Sequence, residues 1–258
     1  MPKRGLAVLL AFMLALMLAA CGSDSCSNTK GNVASSRKRI WSADTKVGGC
    51  VQMGTWRGAP IKWRVLAIEK GRALLISQDI LAQRPFHNKN EDTSWAHCTL
   101  REWLHHKFPD EAFSSSERDA ILLTALSNSD DTESGVASSS DTADHVFLLS
   151  VAEVKQYFSD DADRIAEFEY TEKDVEESLA LLKSIHRGAK DRDKMLENTE
   201  EWIRTRCLWQ KQPFAWCLRS SDMQRNYVEQ INTKGIICNY HVTGLNGVRP
   251  AFWLDTSK

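Results

Sequence analysis

Four tryptophans and three arginines are the side chains best suited to recognising a ligand: Trp95, Trp103, Trp216 and Trp253, with Arg101, Arg219 and Arg249. Aromatic faces stack on flat apolar surfaces, and a guanidinium fork makes two parallel hydrogen bonds to one acceptor group. Trp95, Arg101, Trp216, Arg219 and Arg249 are therefore the candidate binding residues, for a glycan or a peptide. The same residues have a structural use, in which the rings fill the core and the arginines tie loops to it.

Other chemistry is poorly supported. His97, His105 and His106 stand near Cys98, but neighbours on a helix point about 100° apart and cannot easily share one ion. Asp130, Asp131, Glu133, Asp141 and Asp144 could offer oxygens to calcium, yet they lack the spacing of a calcium loop and read as a solvated segment. There is no Gly-x-Ser-x-Gly, P-loop or Gly-x-Gly-x-x-Gly. No catalytic residue, metal site or cofactor is assigned.

The first 20 residues read as a processing segment. Lys3 and Arg4 precede the uncharged run from Leu6 to Leu18, too short for a membrane span, which needs about 20 residues, and suited to a signal sequence. Leu18-Ala19-Ala20-Cys21 resembles the bacterial lipoprotein signal, in which the cysteine takes a diacylglycerol and then an acyl chain such as palmitate. The resemblance implies lipidation at Cys21 and a place in the cell envelope. Gly22, where an aspartate favours inner-membrane retention, points to the outer membrane. Six cysteines then remain (Cys26, Cys50, Cys98, Cys207, Cys217 and Cys238), and without a Cys-x-x-Cys they read as structural disulfides or buried thiols.

Residues 21–45 are rich in Ser, Asn, Gly and Lys and read as a flexible tether. One domain is expected over 46–258. Strands are expected at Cys50–Trp56, Ile61–Ile68 about a Gly58-Ala59-Pro60 turn, and Arg72–Ser77. Leu100, Trp103, Leu104 and Phe108 lie on one helical face. Ser114 with Glu117, and Ser150 with Glu153, are capping boxes opening helices that run to Leu122 and to Phe158. Ser127 to Asp144 reads as a solvated loop and Val146–Leu149 as a strand. Residues 160–206 are charged, with apolar positions enough for one buried face per helix, and read as an inserted helical segment. Strands at Phe214–Leu218, Tyr227–Ile231, Gly235–Tyr240 and Val248–Leu254 close the chain, with Trp216 and Trp253 expected on neighbouring strands of one sheet. The fold class is α+β with a mainly antiparallel sheet.

Composition agrees with this. Of 258 residues, 33 Lys+Arg face 34 Asp+Glu for a net charge of -1, which argues against nucleic-acid binding. At 42% hydrophobic and 26% charged, with 13 Gly and 6 Pro, the chain is neither collagen-like nor wholly disordered.

Several stretches in one order resemble an uncharacterised bacterial family known as a domain of unknown function. They are Ile61-Lys62-Trp63-Arg64-Val65-Leu66, Ala73-Leu74-Leu75-Ile76-Ser77, Trp95 with Thr99-Leu100-Arg101-Glu102-Trp103-Leu104, and Phe113 with Glu117. Then come Val146-Phe147-Leu148-Leu149-Ser150, Trp216-Cys217-Leu218-Arg219-Ser220, and Gly247-Val248-Arg249-Pro250-Ala251. The last two also resemble C-type-lectin-like folds, which pair N- and C-terminal strands, flank them with two helices and bind ligands on loops. With the expected anchor and tether and without a complete catalytic constellation, that likeness points to a lipid-anchored, non-catalytic binding or structural module for a glycan, a peptide or an envelope partner. The alternative is an envelope enzyme related by fold to the formylglycine-generating enzymes. Cys207 and Cys217 lack the close cysteine spacing of those enzymes, and Cys217 stands where the family usually has a second tryptophan.

Overall fold

A computed structural model of the chain describes residues 41–42, 44–128, 140–221 and 226–258. The expected signal segment, Cys21 with its expected lipidation, Cys26, most of the tether, and Asp130, Asp131 and Glu133 lie outside the described residues.

The first hairpin turns on two residues. Between β1 (Cys50–Trp56) and β2 (Ala59–Glu69), Arg57 and Gly58 both take left-handed backbone, with φ of 53° and 81°. Such turns match the natural twist of paired strands. The turn thus lies one residue earlier than expected, and Pro60 already sits opposite Thr55. β3 (Arg72–Ser77) is buried from Ala73 onward, as its unbroken apolar run requires, and β4 (Ala82–Arg84) follows. After a 3-10 turn at Trp95–His97, the Cys98 thiol caps α1 (Thr99–Ala112) by accepting from the Arg101 amide at 3.4 Å. α1 buries Leu100, Trp103, Leu104 and Phe108 as expected, and extends the face to Ala112.

Two expectations shorten here. The Ser114–Glu117 capping box forms, but α2 (Ser115–Arg118) makes only one turn, because Ile121 bridges Leu254 and the Leu122 amide donates to the Trp253 carbonyl. The supposed loop ends in β6 (Thr142–Asp144), which pairs with β5 (Thr124–Leu126) just before the loop as a short ribbon. Val146–Leu149 is fully buried yet is not a strand, and only Phe147 bridges to Ala251. α3 (Val151–Tyr157) starts at the Ser150–Glu153 capping box.

The charged segment forms α4 (Asp161–Arg164), β7 (Ala166–Phe168), α5 (Glu172–Ile185) and α6 (Arg192–Arg206). α5 buries one face, through Asp174, Val175, Ser178 and Leu182, while Ile203 is the buried residue of α6. The chain finishes with β8 (Gln212–Phe214), β9 (Trp216–Ser221), β10 (Tyr227–Ile231), β11 (Ile237–His241), β12 (Asn246–Val248) and β13 (Ala251–Asp255).

The fold is α+β. One antiparallel sheet has the order β1-β2-β3-β13 and a second the order β11-β10-β9-β12-β4, with short ribbons β5-β6 and β7-β8. Within these two sheets the Gly247–Trp216 contact between β12 and β9 is parallel, and Tyr170 and Leu208 form an isolated parallel bridge elsewhere. A methyl at Gly247 would lie 2.5 Å from the Ala215 carbonyl, so this contact requires glycine.

The expected strand over 248–254 is broken at Arg249-Pro250. Proline has no amide to donate, and here the chain crosses from the second sheet to the first. Trp216 and Trp253 are consequently in different sheets, a correction to the sequence reading. The core lies between them: Trp63 stacks on Phe113 at 5.9 Å, meets Phe252 edge-on at 4.6 Å and donates its indole proton to the Met53 carbonyl at 2.8 Å. Among the described residues no helix is long and apolar enough to cross a membrane.

Candidate functional site

Trp95 and Arg101 converge on a carboxylate that sequence reading left in a solvated loop. Asp144 has no exposed surface, and its Oδ2 accepts from the Trp95 indole at 2.7 Å and the Thr142 hydroxyl at 3.0 Å. Its Oδ1 accepts from Arg101 Nε at 2.9 Å and Nη2 at 2.7 Å, and pairs with His105 Nε2 at 2.6 Å. Burial alone would push this carboxyl up. The hydrogen bonds from His105, Arg101 and Trp95 outweigh it and hold Asp144 well below the usual carboxylate range. Arg101 spends a further donor on the Ala96 carbonyl at 3.1 Å. These groups are turned toward one another, so they lock β6 onto the start of α1.

Arg219 is similarly engaged. It donates to the Leu148 carbonyl at 3.0 Å, the Ser127 carbonyl at 3.3 Å and Asn128 Oδ1 at 3.1 Å, and forks onto Glu153. Since Glu153 also caps α3, one guanidinium joins β9, the 146–149 segment and that helix.

Trp216 and Arg249 do meet, with the guanidinium carbon 5.1 Å from the ring centroid and 5.5 Å from that of Phe158. Arg249 is 1% exposed and donates to the Ser77 carbonyl at 2.8 Å and the Gln78 carbonyl at 3.3 Å. Burial and the neighbouring Arg64 lower it to about 9, so it still carries its charge at neutral pH. The Trp216 indole donates to the Arg164 carbonyl at 3.0 Å. All five sequence candidates thus bond to the protein itself, and none lines the recesses described next.

The thiols are equally withdrawn. Cys98, Cys207, Cys217 and Cys238 are free, whereas Cys50 is disulfide-bonded. Burial pushes the Cys98 thiol up to about 12 and raises Cys217 as well, which leaves both as poor nucleophiles. Among the described residues no group of three or more His, Cys, Asp or Glu side chains could hold a metal ion.

The largest described recess, about 790 Å³, opens between the inserted helices and the second sheet. Volumes of about 300–1,000 Å³ are typical of small-molecule sites. α6 supplies Trp202, β8 supplies Phe214, and β11 supplies Tyr240 and His241. Trp202 is 45% exposed and Tyr240 41%, although both are large rings, and Trp202 packs edge-on against Phe214 at 6.4 Å.

At the floor, the Tyr170 hydroxyl donates to Gln83 Oε1 at 2.6 Å. That bond orients the amide and leaves Gln83 Nε2 buried without a partner among the described residues. Burial raises Tyr170 beyond the ordinary tyrosine range, so its proton stays in place to make this bond. His241 Nδ1 accepts from the Thr243 amide at 3.4 Å, which puts the proton of the neutral ring on Nε2. The lining includes Asn90, Thr199 and Thr243 but no Asp, Glu, Lys or Arg. In a chain that is 26% charged, that is a marked exclusion.

Sequence reasoning missed this cleft. Gln83, Trp202 and Tyr240 sit on three distant elements, and none belongs to a recognised motif. One signal was available: Trp202 is the one aromatic ring in the highly charged helix α6.

The sequence matches the family described as Domain of unknown function (DUF6273) over residues 70–256. No curated protein and no solved structure matches the chain.

Proposed function

The chain belongs to the DUF6273 family, and from that premise we propose that it is a lipid-anchored, non-catalytic binding module whose ligand is a neutral glycan held in the cleft beneath α6. The observation that carries this reading is the lining itself: exposed rings, amides and hydroxyls, with no acidic or basic side chain apart from histidine. Sugar rings present apolar C–H faces to aromatic side chains and hydroxyl groups to amides. Gln83 Nε2 is a buried donor awaiting an acceptor, and His241 Nε2 offers a second.

Glycoside cleavage ordinarily uses a pair of carboxylates, and the lining has none, which favours binding over hydrolysis. Pairing of β13 with β3, which brings late and early strands together, supports the lectin-like reading. The anchor is proposed on Cys21 from the signal-like residues before it.

The test is a screen of neutral oligosaccharides and peptidoglycan fragments, repeated with Trp202→Ala. Binding that the substitution weakens by about thirtyfold or more supports the proposal. Silence across the screen, or binding indifferent to Trp202, overturns it.

A further inference from the structure

A second recess, about 380 Å³, lies on the other flank of α5, and its character is opposite to that of the glycan cleft. Arg84 projects into it from β4, with its guanidinium carbon 4.2 Å from the Trp103 ring centroid. Among the described residues Arg84 forms no ion pair and its guanidinium no hydrogen bond. Glu177, the acid that most affects it from a distance, is already forked onto Arg57 at 2.6 and 3.1 Å. A half-buried cation without an acidic partner is costly unless something completes it. Burial accordingly lowers Arg84 from the usual arginine range.

The surroundings indicate what would complete it. Lys107 and Asn88 add donors to the lining, while Pro85, Leu100 and Leu181 make an apolar wall. Glu102 and His106 are exposed and also line the recess. Among the lining residues two cations face one acid; Glu177, held by Arg57, and Glu111 act on Arg84 only from outside the recess, so the lining itself favours a single negative charge. A guanidinium already stacked on one face keeps its edge free for a planar, bidentate acceptor, and a carboxylate has that shape.

We propose that Arg84 and Lys107 bind a carboxylate carried on a short branched apolar stem, such as a free branched-chain acid or the C-terminus of a peptide ending in leucine. The stem lies on Leu100 and Leu181 while the carboxylate meets the guanidinium edge. This proposal is independent of the glycan reading, because the two recesses share none of their lining residues.

Calorimetric titration of the full chain tests it with four probes: 4-methylpentanoate, its amide, the tripeptide Ala-Ala-Leu, and inorganic phosphate. Binding of the acid or the tripeptide, at least tenfold tighter than the amide, is expected. Preference between acid and tripeptide identifies the source. Arg84→Gln should weaken binding at least tenfold without lowering the melting temperature, since an unpaired cation is being removed. Lys107→Gln, at an exposed position, should weaken it by a smaller factor and serves if the Arg84 variant does not fold. Equal affinity for acid and amide, binding of phosphate alone, no binding of either carboxylate, or full affinity in both variants would each overturn the proposal.

Discussion

Gln83 and Arg84 are consecutive residues of β4 and line two different recesses, one on each flank of α5. The cause is geometric. Successive strand side chains point to opposite faces, and Leu181 and Leu182 diverge in the same way on the helix above. One edge strand and one inserted helix therefore separate a neutral cleft from a cationic one, so substitutions at positions 83 and 84 should have separable effects.

Trp202 should matter for binding and little for stability. Its ring is 45% exposed and rests on Phe214 at the cleft wall. Trp202→Ala is expected to leave the unfolding free energy within about 1 kcal/mol, as for most surface substitutions. Glycan affinity should fall by about 2 kcal/mol, or thirtyfold, as for a binding hot spot. Chemical denaturation and calorimetry on the same sample separate the two effects.

Asp144→Asn should be among the most damaging single changes. It removes the fully buried charge that Arg101 and His105 face; breaking a wholly buried pair costs about 3–5 kcal/mol, an upper bound here because both partners are partly exposed. A pH series gives a second signature. Because folding lowers the Asp144 pKa, its contribution is fully present above the unfolded value of about 3.9 and is lost as the pH falls toward the folded value. Wild-type stability should therefore drop between about pH 5 and pH 2, and the variant should start lower and drop less. Parallel curves would show that the carboxylate is not the group responsible.

Arg249→Lys and Arg219→Lys should both be destabilising, because an ammonium cannot span the carbonyls that each fork now joins. Losing one hydrogen bond to a charged group costs about 1.5–3 kcal/mol. Urea unfolding is the measurement, and a midpoint for Arg249→Lys within error of wild type would return that residue to the list of ligand contacts.

Cys21→Ser should release the protein from membranes. Growth with a labelled fatty acid should mark the wild type alone. Equal incorporation into both would remove the anchor from the proposed function.

Local features of the fold were legible in the sequence, whereas meetings between distant segments were not. Both capping boxes formed because Ser114 with Glu117 and Ser150 with Glu153 satisfy each other within three residues. β1, β3 and β10 fall where period and apolar runs put them, and so does the buried face of α1. Asp144 was misread because the residues before it are mostly Ser, Thr and Asp, while its partners Trp95 and Arg101 lie 49 and 43 residues earlier. Of the arginines and tryptophans singled out as candidate ligand contacts, Trp216 and Arg249 meet directly while Trp95 and Arg101 meet on Asp144, and sequence does not tell whether such groups face inward or outward. The cleft escaped for a related reason. Its polar groups are ordinary residues, and they gain their role from the insertion of α5 and α6 against a sheet whose strands lie far away in the chain.

Arg249 also has a bearing on when the molecule can acquire its shape. It fastens the exit from β12 to the carbonyls that follow β3, groups 172 and 171 residues earlier. β3 keeps an unsatisfied edge until β13 arrives beside it. Contacts this distant in sequence are slow to close, and a domain that depends on them cannot finish early. A chain emerging in order from its N-terminus would stay open until its last strands had been made.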